Sequence, residues 1–175
     1  LTRLLLESRR TELDVGELVG AVVGSASSSI LGAALALLLA LPIAALAARY
    51  RSRIVRSIEG AAFLGHALPG VVVGLSLVFL TLAVLPAAYQ TLAVLAFAYA
   101  VLFLPKAIGS SRSAIAHVPP GLESTARSLG QGPLRAWCTV TGRLAWPGIA
   151  AGTLLVVLTA MKELPATWML RPTGF

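Results

Sequence analysis

Charged side chains are scarce in this sequence. Asp, Glu, Lys and Arg together make up 12% of its 175 residues, whereas soluble globular proteins contain about 25%. Hydrophobic residues make up 57%, which is more apolar surface than a soluble core of this size can remove from water. The composition therefore excludes an ordinary soluble domain and favours a chain that lies largely in lipid.

Residues that support catalysis or metal binding are equally scarce. Cys138 is the single cysteine, so the sequence can form no internal disulfide and offers no cysteine cluster for a metal. His, Cys, Asp and Glu nowhere occur at metal-ligand spacing, and the sequence contains no GxxxxGK[ST] phosphate-binding loop. We therefore predict no catalytic, cofactor-binding or metal-binding residue and expect a protein that is not an enzyme.

An excess of basic residues gives the sequence a net charge of +7. A basic charge can indicate nucleic-acid binding, but here the basic residues lie in the gaps between long apolar runs. That distribution is typical of membrane topology. We therefore expect the lipid bilayer as a partner and no nucleic acid.

Three long stretches contain no formally charged residue. They are 31, 46 and 18 residues long and comprise 18–48, 60–105 and 144–161. A membrane-spanning helix needs about 20 residues, so the longest stretch has room for two helices with a tight return near 86–90. The sequence predicts an all-α, polytopic membrane helix bundle in one domain, 1–175, with spans at about 22–48, 61–83, 91–105 and 144–161.

The two polar segments between these stretches are strongly basic. Residues 49–59 carry a net charge of +3 and residues 106–147 carry +4. Because cytoplasmic loops of membrane proteins are enriched in Lys and Arg, we expect both segments to be cytoplasmic. Residues 1–17 and 165–175 are then expected on the opposite side of the membrane.

The stretch GLESTARSLG, at 121–130, predicts a short helix within the second basic segment. Its residues recur at spacings of three and four, so that one face carries Leu122, Thr125, Ala126 and Leu129 and the other carries Glu123, Ser124, Arg127 and Ser128. Glu123 and Arg127 are spaced for an i,i+4 ion pair. Gly130 occupies the C-terminal cap position, where we expect a left-handed backbone, and Pro133 opens a second helix. The resulting helix-turn-helix is either a plain connecting hairpin or a surface that a partner grips.

This stretch resembles the EAA loop of permease subunits in ATP-binding-cassette importers. That signature reads Glu-Ala-Ala, three residues, Gly, nine residues, and Ile-x-Leu-Pro; Ala126 and Gly130 match it, and Val140 is similar to its Ile. The wider form found in the ferric-iron branch is matched by Leu122, Glu123, Arg127, Ser128 and Leu129. The sequence departs from the signature at Ser124, Thr125 and the pair Gly142 and Arg143, which stand in place of Glu, Ala and Leu-Pro.

The end of the sequence carries the same resemblance. Residues 161–165 read MKELP and are followed by LRPTGF at 170–175, a combination familiar in ferric-iron-type importer permeases. In that branch a further span follows, and this sequence begins with Leu1 rather than Met. We therefore expect it to be part of a longer permease.

The resemblance implies a function and a set of partners. The chain would be a multi-pass subunit of the bacterial inner membrane that receives iron(III) from a periplasmic substrate-binding protein and passes it across. Separate cassette ATPase subunits would hydrolyse ATP and grip the loop through Leu122, Glu123, Ser124, Thr125, Ala126, Arg127, Leu129 and Gly130. Since such a permease needs two loops, a second permease half or a homodimer copy is also expected.

The basic residues of 49–59 are interpreted from their charge alone. They indicate either a topology anchor or a contact with the ATPase or anionic lipid.

Other functions remain open at this point. Permeases of the phosphonate, thiamine or polyamine branches would share the same loop. A secondary transporter is an alternative from the residues alone, but it should place acidic residues at mid-span, and the predicted spans lack them. A membrane assembly module without transport is a further alternative, and it would make the loop dispensable.

Five residues are candidates for the transport path. Pro69 and Gly70 should break a span, and broken membrane helices often line a path, with a simple packing kink as the alternative. His66 is polar in an apolar run, which indicates either a functional residue or a buried His bonded to a neighbouring helix. Lys162 and Glu163 are expected near the outer mouth, where an interfacial charge pair without a transport role is the alternative.

Overall fold

Helices account for the regular structure of the residues that the computed structural model describes, which are 15–50, 52–65 and 68–172. In chain order they are α1 Val15–Arg49, α2 Arg53–Leu64, α3 Gly70–Val84, α4 Leu92–Ala116, α5 Pro120–Ser128, α6 Pro133–Ala136, α7 Arg143–Ala160 and α8 Leu164–Leu170. A 3₁₀ turn, Pro86–Ala88, lies between α3 and α4, at the predicted return, and a π-helical segment, Trp137–Gly142, joins α6 to α7. The described ranges contain no strand, so the prediction of an all-α bundle is confirmed.

Three helical stretches are long and apolar enough to cross a membrane: Leu18–Arg49, Leu92–Ala116 and Pro133–Ala160. The remaining apolar helix, α3, has 15 residues and is about 22 Å long, which is less than the ~30 Å hydrocarbon core of a bilayer. The span predicted at 61–83 is thus divided between the end of α2 and α3. Pro69 explains the break, because proline lacks a backbone N–H and disfavours a helical conformation in the preceding residue.

Helix α4 extends further than the sequence indicates. The predicted span ends near Pro105, but α4 contains this proline in its interior and continues to Ala116. Two charged residues of the extension have partners: Lys106 Nζ donates to Thr159 Oγ1 at 3.0 Å, and Arg112 forms an ion pair with Glu59. Packing of this kind stabilises the helix beyond Pro105, so the segment predicted as a loop from residue 106 leaves the bundle only after Ala116.

Small residues allow α4 to approach its neighbours closely. Ala33, Ala36 and Ala40 are buried along one face of α1, and a Cβ atom added to Gly32 would lie 2.5 Å from Tyr99 Cβ. A Cβ atom added to Gly148 of α7 would likewise lie 2.8 Å from Ala114 Cβ. Close backbone approach is how helices associate in lipid, where van der Waals packing supplies much of the attraction. Helix α4, which packs against both α1 and α7, is the central helix of the bundle.

The outer faces of the helices expose large apolar side chains. Leu38 on α1, Phe79 on α3 and Leu154 on α7 are each more than half exposed. Such surfaces are unfavourable in water but are expected where lipid or another membrane helix surrounds the bundle. The exposure therefore agrees with a polytopic membrane protein.

Candidate functional site

The short helix α5 ends in a backbone motif that requires Gly130. This residue has a φ of +87°, so the left-handed backbone expected there is confirmed. Its N–H donates to the Arg127 carbonyl at 3.0 Å, and the Gln131 N–H donates to the Ala126 carbonyl at 3.2 Å. These two bonds are those of a Schellman cap, which satisfies the last carbonyl groups of a helix. The chain consequently reverses sharply after α5 and enters α6.

The apolar residues of α5 do not all face the bundle. Ala126 is buried, whereas Leu122 and Leu129 are 46% and 80% exposed. Leu134, just after the turn, is 75% exposed. We call Leu122, Leu129 and Leu134 the leucine patch. Because α5 is otherwise polar, with Ser124, Thr125 and Arg127 also exposed, the leucine patch consists of exposed apolar side chains on a polar hairpin.

Glu123 attaches α5 to the bundle. Its Oε2 accepts a hydrogen bond from Thr141 Oγ1 at 2.9 Å and lies 3.9 Å from Arg49 Nη2. Arg49 also donates from Nη1 to the Val118 carbonyl at 3.0 Å. The expected ion pair with Arg127 does not form among the described residues, because Glu123 is turned inward and Arg127 is exposed. We call Arg49, Glu123 and Thr141 the anchor cluster.

The anchor cluster joins elements that are distant in the sequence. Arg49 is the last residue of α1, and Thr141 lies in the π-helical segment that leads into α7. Thr141 is fully buried, and π-helical turns commonly redirect a side chain at a functional position. Sequence reasoning missed both residues as members of this cluster, since Arg49 was considered only together with the other basic residues of 49–59 and Thr141 was not a candidate. The single local signal was an arginine directly after a long uncharged run.

A second polar cluster surrounds Glu163. A Cβ atom added to Gly70 would overlap Glu163 Oε1, so the start of α3 and this carboxylate are in direct contact. The Thr167 hydroxyl donates to the Glu163 carbonyl and shares a 2.6 Å hydrogen bond with the Tyr99 hydroxyl. Tyr99 itself is nearly fully buried. We call Gly70, Tyr99, Glu163 and Thr167 the Glu163 cluster.

The predicted path residues are thus partly brought together. Gly70 and Glu163 touch, Pro69 adjoins Gly70, and Lys162 is exposed beside Glu163. His66 lies outside the described residues. Tyr99 is seven residues into α4 from Leu92, or about 10 Å along the helix, and is buried, whereas Gly70, Glu163 and Thr167 are partly exposed, so the cluster lies at the edge of the bundle. The sequence did not indicate Tyr99 or Thr167, which reach the cluster only through packing.

The leucine patch and the Glu163 cluster differ in the chemistry that they can perform. The leucine patch offers apolar surface for a protein contact, and the Glu163 cluster offers oxygen atoms of one carboxylate and two hydroxyl groups. Within the described ranges, no three His, Cys, Asp or Glu side chains are grouped closely enough to hold a metal ion. The leucine patch therefore favours a protein contact, and the Glu163 cluster favours binding of a polar group.

Comparison with known proteins identifies one family for the region of the chain that contains these groups. Residues 40–171 match the family model described as binding-protein-dependent transport system inner membrane component. The chain is 38% identical over 129 residues to the Fe(3+)-transport system permease protein FbpB 2 of Haemophilus influenzae, covering 74% of this chain and 26% of that protein. It is 31% identical over 137 residues to the molybdenum transport system permease protein ModB of Mycobacterium bovis, covering 72% of this chain and 52% of that protein.

The same identity and coverage hold for ModB of Mycobacterium tuberculosis. The chain therefore spans about half of the ModB proteins and about a quarter of FbpB 2. The matched region contains α5 with the leucine patch, the anchor cluster and the Glu163 cluster. The chain belongs to the family of inner membrane components of binding-protein-dependent transport systems.

Proposed function

We propose that this chain forms part of the permease subunit of an ATP-driven importer in the bacterial inner membrane, with iron(III) as its substrate. The observation that carries the proposal is the leucine patch, an apolar surface on a short polar helix that follows the central helix of a membrane bundle. Membership in the transport family and the similarity to FbpB 2 support it. ATP hydrolysis takes place on a separate cassette subunit.

The leucine patch is the docking surface for the cassette ATPase. Leu129, which is 80% exposed, contributes about 1.5–3 kcal/mol to association if a groove on the partner buries it fully. The other residues of the docking loop are Leu122, Glu123, Ser124, Thr125, Ala126, Arg127 and Gly130. Of these, Glu123 and Ala126 face the bundle and hold the helix in place, while the exposed residues contact the partner.

The anchor cluster transmits the motion of the ATPase. Closure of two cassette subunits on ATP displaces α5, which is connected to α1 through Arg49 and to the last long helix through Thr141. Displacement of α5 therefore moves these helices together with α4, from which the loop emerges. Rigid-body movement of this kind converts a permease between inward-facing and outward-facing states.

The Glu163 cluster lies along the transport path. Iron(III) prefers oxygen ligands, and the cluster supplies the Glu163 carboxylate. The Thr167 hydroxyl, hydrogen-bonded to the Glu163 backbone carbonyl and to the buried Tyr99, holds this turn in place. A single carboxylate suits a conduit, since a transported ion must be bound weakly enough to leave. Tight recognition then belongs to a periplasmic substrate-binding protein that delivers the ion.

Molybdate is the second candidate substrate, because two relatives are molybdenum transport permeases. An oxyanion would use the exposed ammonium group of Lys162 rather than the Glu163 carboxylate. Uptake of radioactive iron(III) and of molybdate by cells with the full-length permease distinguishes the two. Uptake of molybdate alone would reject iron(III).

A second permease half or a second copy of the chain completes the path. The exposed apolar faces of α1, α3 and α7 offer surface for that association. Two halves also supply the two docking loops that a pair of cassette subunits requires.

Docking is tested by the substitution Leu129→Ser in the full-length permease. We expect the ATPase to be lost on co-purification and iron(III) uptake to fall, with normal amounts of permease in the membrane. The matched control is Leu85→Ser, the same change at an exposed position between α3 and α4, which should retain the ATPase. If both variants retain the ATPase and transport normally, the leucine patch is not the docking surface.

A further inference from the structure

A pocket lies between the end of α1, the start of α2 and α4. It contains no residue of the leucine patch, the anchor cluster or the Glu163 cluster. Its volume is about 350 Å³, and it is lined by Ala47, Tyr50, Val55, Arg56, Glu59 and Arg112. Arg112 is held by its ion pair with Glu59, which uses part of the five N–H donors of the guanidinium. The guanidinium of Arg56 has no hydrogen-bond or ion-pair partner among the described residues. The pocket thus contains one unpaired positive charge and spare donors that suit an anion.

A shallow apolar groove adjoins this pocket. Ile43, Leu46, Val55 and Ile58 line the groove, so that Val55 belongs to both, and its volume of about 10 Å³ is too small to enclose an acyl chain. Leu46 and Ile58 are about half exposed, so the groove is part of an open apolar surface. Along α1 the groove residues precede Ala47 and Tyr50 of the pocket by about one turn. They lie on the uncharged side of Arg49, where α1 enters the apolar part of the bundle. A ligand that contacts both must therefore be anionic at one end and apolar at the other.

The position of α2 agrees with a membrane interface. None of its residues is buried in the bundle, and it carries exposed apolar side chains, among them Ile54 and Ile58, together with Arg53 and Arg56. Amphipathic helices with this composition lie at the boundary between lipid headgroups and acyl chains. The pocket opens at the same level, beside the arginine that ends α1.

We propose that this pocket binds the phosphate headgroup of an anionic phospholipid, with an acyl chain lying along the exposed apolar side chains of the adjoining groove. Arg56 and the free donors of Arg112 contact the phosphate, and Tyr50 borders the headgroup. A soluble phosphate would contact only the pocket, whereas a lipid contacts the pocket and the apolar surface beside it, which is why the apolar surface favours the lipid. The site is distinct from the docking loop and the Glu163 cluster, and it does not depend on which substrate is transported.

The test measures phospholipid binding to the full-length permease, assembled with its partners, by native mass spectrometry with phosphatidylglycerol or phosphatidylcholine added. We expect preferential binding of phosphatidylglycerol, reduced roughly five-fold by Arg56→Gln, the size expected for one basic contact to anionic lipid. The matched control is Arg53→Gln, which removes the same charge from an exposed position on α2 that does not line the pocket. Equal losses in both variants would show diffuse surface attraction and overturn the site.

The apolar half is tested in the same way. Ile58→Ser should weaken binding of phosphatidylglycerol, while Ile54→Ser, the same change outside the groove, should not. Glycerol phosphate serves as the soluble probe of the headgroup alone. If it binds as tightly as the lipid and depends on Arg56, the pocket is a site for a soluble anion and the lipid proposal is wrong. Absence of any preference for phosphatidylglycerol over phosphatidylcholine would reject it as well.

Discussion

Arg49 and Glu123 are 74 positions apart in the sequence, yet Arg49 Nη2 lies 3.9 Å from Glu123 Oε2. Thr141 donates to the same carboxylate oxygen. Helix α5 is therefore connected by side chains to α1 and to the last long helix, in addition to its chain connection with α4. A force applied to α5 reaches all three long helices of the bundle.

The first prediction concerns this connection. Arg49→Gln and Glu123→Gln should each loosen α5 and lower substrate uptake per ATP hydrolysed. Because the side chains are only 17% and 24% exposed, a double-mutant cycle on ATPase binding should give a coupling energy of about 1 kcal/mol. Hydrogen exchange of residues 120–128 should be faster in both single variants. The control is Arg143→Gln, an exposed arginine outside the docking loop, and strictly additive effects of Arg49→Gln and Glu123→Gln would contradict a functional pair.

The second prediction concerns the turn after α5. Gly130→Ala should weaken ATPase association, because a residue with a Cβ atom pays about 1 kcal/mol at a φ of +87°. No atom lies within 4 Å of the added Cβ, so the cost is backbone strain and not a clash. Gly130→Asp should abolish association and transport, since it also adds negative charge at the helix C-terminus. Membrane abundance should remain normal in both.

Gly132 provides the matched control for this turn. It has a φ of −63° and open space around an added Cβ, so Gly132→Ala should be tolerated. Co-purification with the ATPase is the measurement. Normal transport by an abundant Gly130→Asp variant would show that the loop does not couple ATP hydrolysis to movement.

The third prediction concerns the contact between Gly70 and Glu163. Gly70→Ala should displace the Glu163 carboxylate, because the new methyl group would overlap its Oε1, and uptake should fall. Shortening the acidic side chain in Gly70→Ala/Glu163→Asp should restore part of the uptake. The control is Gly109→Ala, whose added Cβ has no neighbour within 4 Å. An unchanged uptake rate in Gly70→Ala would remove this contact from the transport path.

The carboxylate itself is the subject of the fourth prediction. Glu163→Gln keeps the shape and the oxygen that accepts from the Ala166 N–H but removes the charge. Iron(III) uptake should decrease while the amount of permease in the membrane stays constant. Full uptake by this variant would favour the interpretation of Lys162 and Glu163 as a charge pair without a transport role.

The fifth prediction concerns topology. Cys138 is exposed and must first be removed by Cys138→Ser. In that background Gln131→Cys, at the turn after α5, should react with a membrane-impermeant thiol reagent only from the cytoplasmic side. Reaction from the periplasmic side would reverse the assignment that the basic segments imply.

The sequence by itself determined the class of fold, helix α5 and its cap. Long uncharged runs form helices in lipid. The bilayer offers no partner for backbone N–H and C=O groups, and a helix pairs these groups within one segment. The left-handed backbone of Gly130 was predictable for a similarly local reason, since this glycine directly follows the end of the helix in the chain. The break near Pro69 likewise follows from the chemistry of proline.

Tertiary structure decided what the local pattern left open. Glu123 is also spaced for an ion pair with Arg127. In the structure α5 is oriented so that Glu123 faces inward and contacts Arg49 and Thr141, whose positions depend on the packing of α1 and the π-helical segment. The extension of α4 past Pro105 depends on partners supplied by other helices, Thr159 for Lys106 and Glu59 for Arg112. The contact of Gly70 with Glu163, 93 positions later, is likewise invisible to any spacing rule. Local backbone chemistry operates between neighbours in the chain, whereas these contacts exist only after the helices have packed.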